Sequence, residues 1–391
     1  MRRTEWLQET RKMRFEQAFG DWNEGRLSQE EAAGLLGVCA RSFRRYVQRF
    51  DEGGLDGLID LRLGQVSHRR APVDEVMALT ERYRSRHAGW NVKHFYAWYR
   101  KEGGARSYTW VKLRLQGAGL APRARRRGAH RRRRERAAMV GMLLHQDAST
   151  HEWVAGCRWD LVVTMDDATS EHYSMFFVAQ EGTLSSLRGV RDVVAAVGLF
   201  ATLYTDRGSH YWLTPAAGGK VDKTHPTLFG QAMQRLGIEM MAAYSPEARG
   251  RSERAFRTHQ DRLPRELALA GISDMQAANR YLAKTYRKAF NREFAQPAGE
   301  PGSAFVPYIG LPLDELLCEV HERTVGNDNC VQFERLALQI PADTHRCHYV
   351  KARVKVRRHI DGTLSIAHGP RVLACFDGHG RPMKEKLKRA A

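Results

Sequence analysis

VGMLLHQDASTHEWVAGCRWDLVVTMDDATSEHYSMFFVA, residues 140–179, changes the texture of the chain. The first sixty residues read as helices. Here the apolar residues come in alternating and continuous runs, which mark strands. The pattern predicts strands over residues 141–148, 159–166 and 173–179. A helix over 184–197 and a strand over 200–205 follow. Residues 212–226 are irregular and contain Gly, Pro and Lys. A helix over 228–236, a strand over 238–243 and a long helix starting near Gly250 complete the segment. Pro264 should kink or end that helix early, because proline has no N–H to donate.

Three strands, helix, strand, helix, strand, helix is the order of an RNase H-like α/β domain, here residues 139–300. Three short segments in it carry acids. HQDAST places Asp147 on the first strand, YTDRGSHY places Asp206 at the C-terminal end of the fourth, and AYSPEARGRSERAF places Glu253 one turn into the last helix. Adjacent central strands can hold Asp147 and Asp206 side by side, with the helix leaning Glu253 over them. Carboxylate oxygens suit a hard cation such as Mg²⁺ or Mn²⁺. Two such ions would serve an in-line displacement at phosphorus. Asp166 and Asp167 fall at a strand end, where a turn or helper role is expected. Glu247 lies in the loop before the helix. His210 and His259 read as structural or DNA-facing side chains rather than ligands.

Upstream, Ser28 and Glu31 form a capping box, with Ala32, Leu35 and Leu36 as the apolar face of a short helix. Gly37 breaks it. A second helix from Cys39 to Phe50 turns Phe43, Tyr46 and Val47 inward, and the pair makes a helix-turn-helix, residues 1–60. Its other side carries Arg41, Arg44, Arg45 and Gln48, side chains that reach phosphates and base edges. Residues 61–71 read as a polar, basic linker. Residues 61–121 hold a second helical unit, winged or three-helix, with helices from Pro72 to Arg86, Val92 to Lys101 and Ser107 to Gln116. Lys112 and Arg114 are its DNA-facing candidates. Trp90, Phe95, Tyr96, Trp98 and Tyr99 read as core.

PRARRRGAHRRRRER, in a linker over 122–138, includes Arg125, Arg126, Arg127, Arg131, Arg132, Arg133 and Arg134. A run of like charges repels itself, but beside phosphates it releases counterions. The formal net charge of the 391-residue chain is +19, which favours a polyanionic partner. Residues 301–378 contain short strand runs, VQFERLALQI and ARVKVRR, with a turn at Asp361-Gly362, and suggest a small β-barrel. A basic tail covers 379–391. The six cysteines include no C-x-x-C pair, which speaks against zinc and for free thiols. Neither a signal peptide nor a membrane span is legible, so a cytoplasmic, nucleoid-associated protein is expected.

The three acidic segments resemble the signature of DDE transposases with a retroviral integrase-like core. TDRGSHY is similar to T-D-N-G-S-x-F, with Arg207 where Asn is usual, and YSPEARGRSER is similar to Y-x-P-x-x-x-G-x-x-E-R. The order of helix-turn-helix, basic linker, QxD, DDAT, TDRGS and GRSER resembles the ISNCY-type insertion-sequence transposases. The spacings are 206 − 147 = 59 and 253 − 206 = 47. The second exceeds that of the commonest subgroup, and residues 212–226 could be the insert responsible. The C-terminal β segment is similar to the barrel that follows the catalytic core in phage Mu-type transposases.

The resemblance implies a transposase that binds element ends and carries out phosphodiester hydrolysis and strand transfer. Asp147, Asp206 and Glu253 would be its catalytic and metal-binding residues. Arg251 and Arg254, flanking Glu253, suit a helix lying on phosphates. The implied partners are double-stranded DNA, as terminal repeats and target, and further copies of the chain in a dimer or larger assembly. Two other readings are open: a transposase-derived DNA-binding regulator without catalysis, and an RNase H-like nuclease.

Overall fold

A computed structural model describes residues 3–60, 70–123, 135–216, 219–244, 246–342, 344 and 346–383, with backbone alone at 3–5 and 246–249. The run from Arg125 to Arg134, most of the linker after Asp60 and the tail from 384 lie outside the described residues. The chain forms two compact units, Met1–Arg82 and Tyr83–Ala391.

In the first unit α1 (Arg3–Asn23), α2 (Gln29–Leu35) and α3 (Ala40–Gly53) pack around Phe15, Ala32, Ala33 and Phe43. The capping box forms as expected: Ser28 Oγ accepts from Glu31 N at 3.3 Å, and Ser28 N donates to Glu31 Oε2 at 2.7 Å. Cys39 is the N-cap of α3, and Gly54, at φ 61°, ends it in a backbone region glycine tolerates. The inward side of α2 differs from expectation. Leu35 is 63% exposed, and Ala32 and Ala33 take the core positions instead.

α4 (Val73–Arg86), α5 (Val92–Lys101) and α6 (Tyr108–Gly117) follow. Trp90, Phe95 and Tyr99 are buried as expected of core aromatics. Side-chain caps start the last two helices, Asn91 accepting from His94 N and Ser107 from Trp110 N.

The centre of the second unit is a five-stranded mixed sheet in the order β3-β2-β1-β4-β5. Its strands are β1 (Leu143–Val154), β2 (Cys157–Asp166), β3 (His172–Val178), β4 (Thr202–Thr205) and β5 (Glu239–Ala242). β2 runs antiparallel to β1 and β3, while β4 and β5 run parallel to β1. Alternation along β1 and β2 gives the sheet two apolar faces. One is covered by α7 (Thr183–Val197) and α8 (Leu228–Leu236) around Leu144, Leu187, Leu203 and Phe229. The other is covered by α9 (Pro246–Leu269), α10 (Met275–Tyr281) and α11 (Arg287–Phe294) around Val163, Phe177, Leu263 and Tyr286. A π-helical turn, Leu282–Tyr286, joins α10 to α11.

α9 runs through Pro264 to Leu269 instead of ending early. Leu263 and Leu267 are fully buried and Arg262 pairs with Glu293, so packing on both sides offsets the lost hydrogen bond, a cost of about 3 kcal/mol.

The C-terminal part is not a closed barrel. Among the described residues, β6 (Glu319–Thr324), β9 (Arg353–Arg358), β10 (Leu364–His368) and β11 (Arg371–Phe376) form an open sheet, β11-β10-β9-β6, beside a separate hairpin of β7 (Cys330–Phe333) and β8 (Leu336–Gln339). Val331, Leu338, Val356 and Ile366 share one core, so side-chain burial does here what strand closure would do in a barrel. The turn at Asp361-Gly362 forms, with Asp361 Oδ1 accepting from Thr363 N and Oγ1.

Candidate active site

The register of β1 against β4 builds the centre of the site. Leu143 pairs with Thr202, Leu144 with Leu203 and His145 with Tyr204, a constant offset of 202 − 143 = 59. Continued two residues, the same offset sets Asp147 opposite Asp206, just past the end of β4. Asp147 is 8% exposed, Asp206 is half-buried, and Asp206 Oδ1 accepts from Gly208 N at 2.9 Å.

Tyr211 is buried behind this pair, on the α7 and α8 side of the sheet. Its hydroxyl accepts from Ser186 Oγ at 3.0 Å and lies 3.2 Å from both Gln146 Oε1 and Glu181 Oε1. Burial first, then the negative charges of Glu181, Asp147 and Asp206, hold its phenol pKa well above the ordinary value. Gln146, pointing to the opposite face from Asp147, donates to Thr164 Oγ1 and Ser186 O. It needs Gly189 beside it, since a Cβ there would sit 2.2 Å from its amide nitrogen. Gln146, Glu181 and Tyr211 escaped the sequence reading as site residues. Their signal was position alone: two of them stand inside the HQD and TDRGSHY segments.

Glu253 stands exposed on α9 and does not close on the two aspartates. Among the described residues, no three His, Cys, Asp or Glu side chains come together closely enough to hold an ion. The helix nevertheless aims the right flank. Seven residues after Glu253, thus on the same side of the helix, Gln260 donates to Ser149 Oγ at 2.9 Å. Ser149 is on the face of β1 that carries Asp147.

Asp166 and Asp167 close β2 and are fully buried. Asp166 makes the turn: Oδ1 accepts from Thr169 N at 2.9 Å and Oδ2 from Gly141 N at 2.8 Å. Asp167 reaches outward. Its Oδ1 meets His145 Nε2 at 2.6 Å and the Arg251 guanidinium, and its Oδ2 accepts from Ala137 N at 2.8 Å. Arg251 also donates to Glu135 O at 2.8 Å, so its side chain, 14% exposed, is held within the chain rather than presented outward. Arg136 donates to Asp167 O at 2.7 Å and to Ser170 Oγ at 2.9 Å. The side chain of Glu247 lies outside the described residues.

His259 is structural. It is fully buried, 3.0 Å from His172 Nε2 through its Nε2 and 3.0 Å from the Tyr286 hydroxyl through Nδ1. His210 Nε2 lies 3.4 Å from Glu181 Oε1.

The candidate DNA-facing side chains are mostly exposed within their own helices. Arg41, Arg44, Arg45 and Gln48 are all exposed on α3, and Phe43 between them is buried. On α6, Arg114 is exposed and Lys112 half-buried, with the Arg106 and Arg114 guanidinium groups 5.2 Å and 5.7 Å from the Trp110 ring. Arg254 is exposed on α9. Among the described residues, no helix is long and apolar enough to cross a membrane.

Residues 17–71 match the family model described as a helix-turn-helix domain. Over 372 residues the chain is 29% identical to the putative transposase y4bF of Sinorhizobium fredii, which covers 92% of this chain and 78% of that protein. It is 30% identical over 235 residues to the transposase for insertion sequence IS1202 of Streptococcus pneumoniae, covering 60% of this chain and 50% of that one. Among solved structures, the HTLV-2 integrase catalytic core domain in complex with magnesium aligns with 38% of this chain and 87% of its own, at 13% identity and a TM-score of 0.29.

Proposed function

We propose that the chain is an insertion-sequence transposase of the DDE type, with an RNase H-like catalytic domain, and that it cleaves and joins DNA. The observation that carries this reading is the parallel pairing of β1 with β4 up to His145 and Tyr204, whose offset, extended by two residues, would bring Asp147 opposite Asp206. The similarity to two transposases supports it, and the order of motifs supports the ISNCY-type subgroup.

Two carboxylates side by side, Asp147 within β1 and Asp206 just past β4, would repel one another, and a divalent cation would relieve this. The donor set, all carboxylate oxygen, fits Mg²⁺ or Mn²⁺. Asp147, Asp206 and Glu253 would hold the metal, one or two ions, which when bound supplies Lewis-acid and charge-neutralising chemistry at phosphorus. The chain's own residues would do the positioning: β1 and the end of β4 would hold two donors, and α9, packed over β1 through Gln260 and Ser149, would carry the third. Tyr211, kept protonated, packs behind them on the α7 side of the sheet without adding charge.

DNA is the proposed partner of the exposed face of α3, of Lys112 and Arg114, of Arg254 and of the arginine run from Arg125 to Arg134. Two ends must be joined to one target, so two or more copies act together. A cytoplasmic, nucleoid-associated setting and the sequence-based division into six segments belong to the same reading. The exposed stance of Glu253 favours a second reading, a transposase-derived regulator that binds DNA and does not cut it.

One assay separates them. The full chain is incubated with Mg²⁺ and a duplex carrying the inverted repeats that flank its gene. Cleavage and strand transfer are expected. Asp147→Asn, Asp206→Asn and Glu253→Gln should each lower the rate by roughly a thousandfold or more while duplex affinity stays unchanged. Normal cleavage by one variant removes that residue from the site. Tight repeat binding with no cleavage by the unaltered chain leaves the regulator.

A further inference from the structure

Each of two elements of the proposed site has, two residues before its acid, a side chain that touches Asp167. His145 precedes Asp147 on β1, and Arg251 precedes Glu253 on α9. The turn after β2 does not need this second acid. Asp166 already supplies its carboxylate contacts, to Thr169 and Gly141. Asp167 is fully buried, and a buried carboxylate that is not paired costs several kcal/mol. Its oxygens are spent on three other segments: β1, α9 and the chain at Ala137.

Helix geometry gives this contact a consequence. Residues two apart on a helix point about 200° apart. The buried side of α9 carries Ser252, Phe256, His259 and Leu263. Arg251 lies to one side of that stripe and reaches the end of β2. Glu253 lies to the other side, the side from which Gln260 reaches Ser149 on β1.

We propose that Asp167 is a positioning residue: by holding Arg251 on the β2 side and His145 on β1, it sets the rotation and height of α9 so that Glu253 faces the edge where Asp147 and Asp206 stand. This inference rests on the proposed catalytic reading. Arg136, on the carbonyl oxygens of Asp167 and Ala168, braces the same turn from the chain that leaves the arginine run.

The test uses the full chain with Asp167→Asn, and with Arg251→Gln as a second variant that leaves the Asp167–His145 pair in place. Amide hydrogen exchange over residues 250–256 should speed up by roughly tenfold in both, with β1 and β2 unchanged. Duplex affinity should hold. Cleavage should slow by about 10- to 100-fold, and the half-saturating Mg²⁺ concentration should rise. A purely structural role would lower the melting temperature without moving the Mg²⁺ dependence. Unaltered exchange over 250–256 in both variants overturns the proposal. So does faster exchange with an unchanged rate and Mg²⁺ dependence. If the unaltered chain cleaves nothing while binding its repeats, the catalytic reading fails separately, and the exchange result alone decides whether Asp167 sets α9.

Discussion

His172 is uncharged in the folded chain, because complete burial lowers its pKa to about 4. Its Nδ1 faces Ser170 O at 3.0 Å and its Nε2 faces His259, itself pushed well below the ordinary imidazole range, first by burial and then by His172. In the unfolded chain the same imidazole takes up a proton near pH 6.5. Between pH 6.5 and 4 the unfolded state therefore binds more protons. Stability from this group is fully present above pH 6.5 and lost as pH falls toward 4, about 3 kcal/mol for His172 alone. The midpoint of urea unfolding should drop steeply from pH 7 to 5, and less steeply in His172→Gln. Equal slopes in the two proteins would show that His172 titrates alike folded and unfolded. The acids proposed for the site could be read because each sits in a local motif. The partners of Asp167 were not: His145 is 22 residues away and Arg251 is 84, and only register and helix rotation join them.

At the scale of elements, local chemistry carried most of the reading. Ser28 and Glu31 fixed the start of α2, and alternation fixed the strands of the central sheet. The early helix end expected at Pro264 and the inward face expected of Leu35 went the other way, because tertiary packing carries the helix past the first and small alanines took the core at the second. The open C-terminal sheet misled for a related reason: short strand runs do not state which edges close. α3 follows the local rule. Its apolar side is buried and Arg44 and Arg45 stand clear, so this helix is the one expected to enter a major groove. Arg44→Ala or Arg45→Ala in the full chain should erode the preference for terminal-repeat over scrambled duplex by about 1–3 kcal/mol, without metal. Mobility-shift titrations on the two duplexes measure it. An undiminished preference in both variants would move end recognition elsewhere in the chain.

The whole molecule assembles its central sheet from pairings of very different reach. β1 and β2 join through a two-residue turn in which Gly156 adopts φ 74°, while β1 and β4 meet across 59 residues. Short loops close at small entropic cost, and long ones only after other contacts reward them. The order of events in refolding should follow. In pulse-labelled hydrogen exchange, amides of β1 facing β2 should gain protection before those of β4, and simultaneous protection would deny the sequence of steps. A chain emerging from the ribosome thus makes its hairpin early, and Asp147 waits, unmatched, until Asp206 has been synthesised and docked. The capacity proposed for this chain, to break DNA, would then arrive after the N-terminal helical surfaces proposed to bind DNA have already formed.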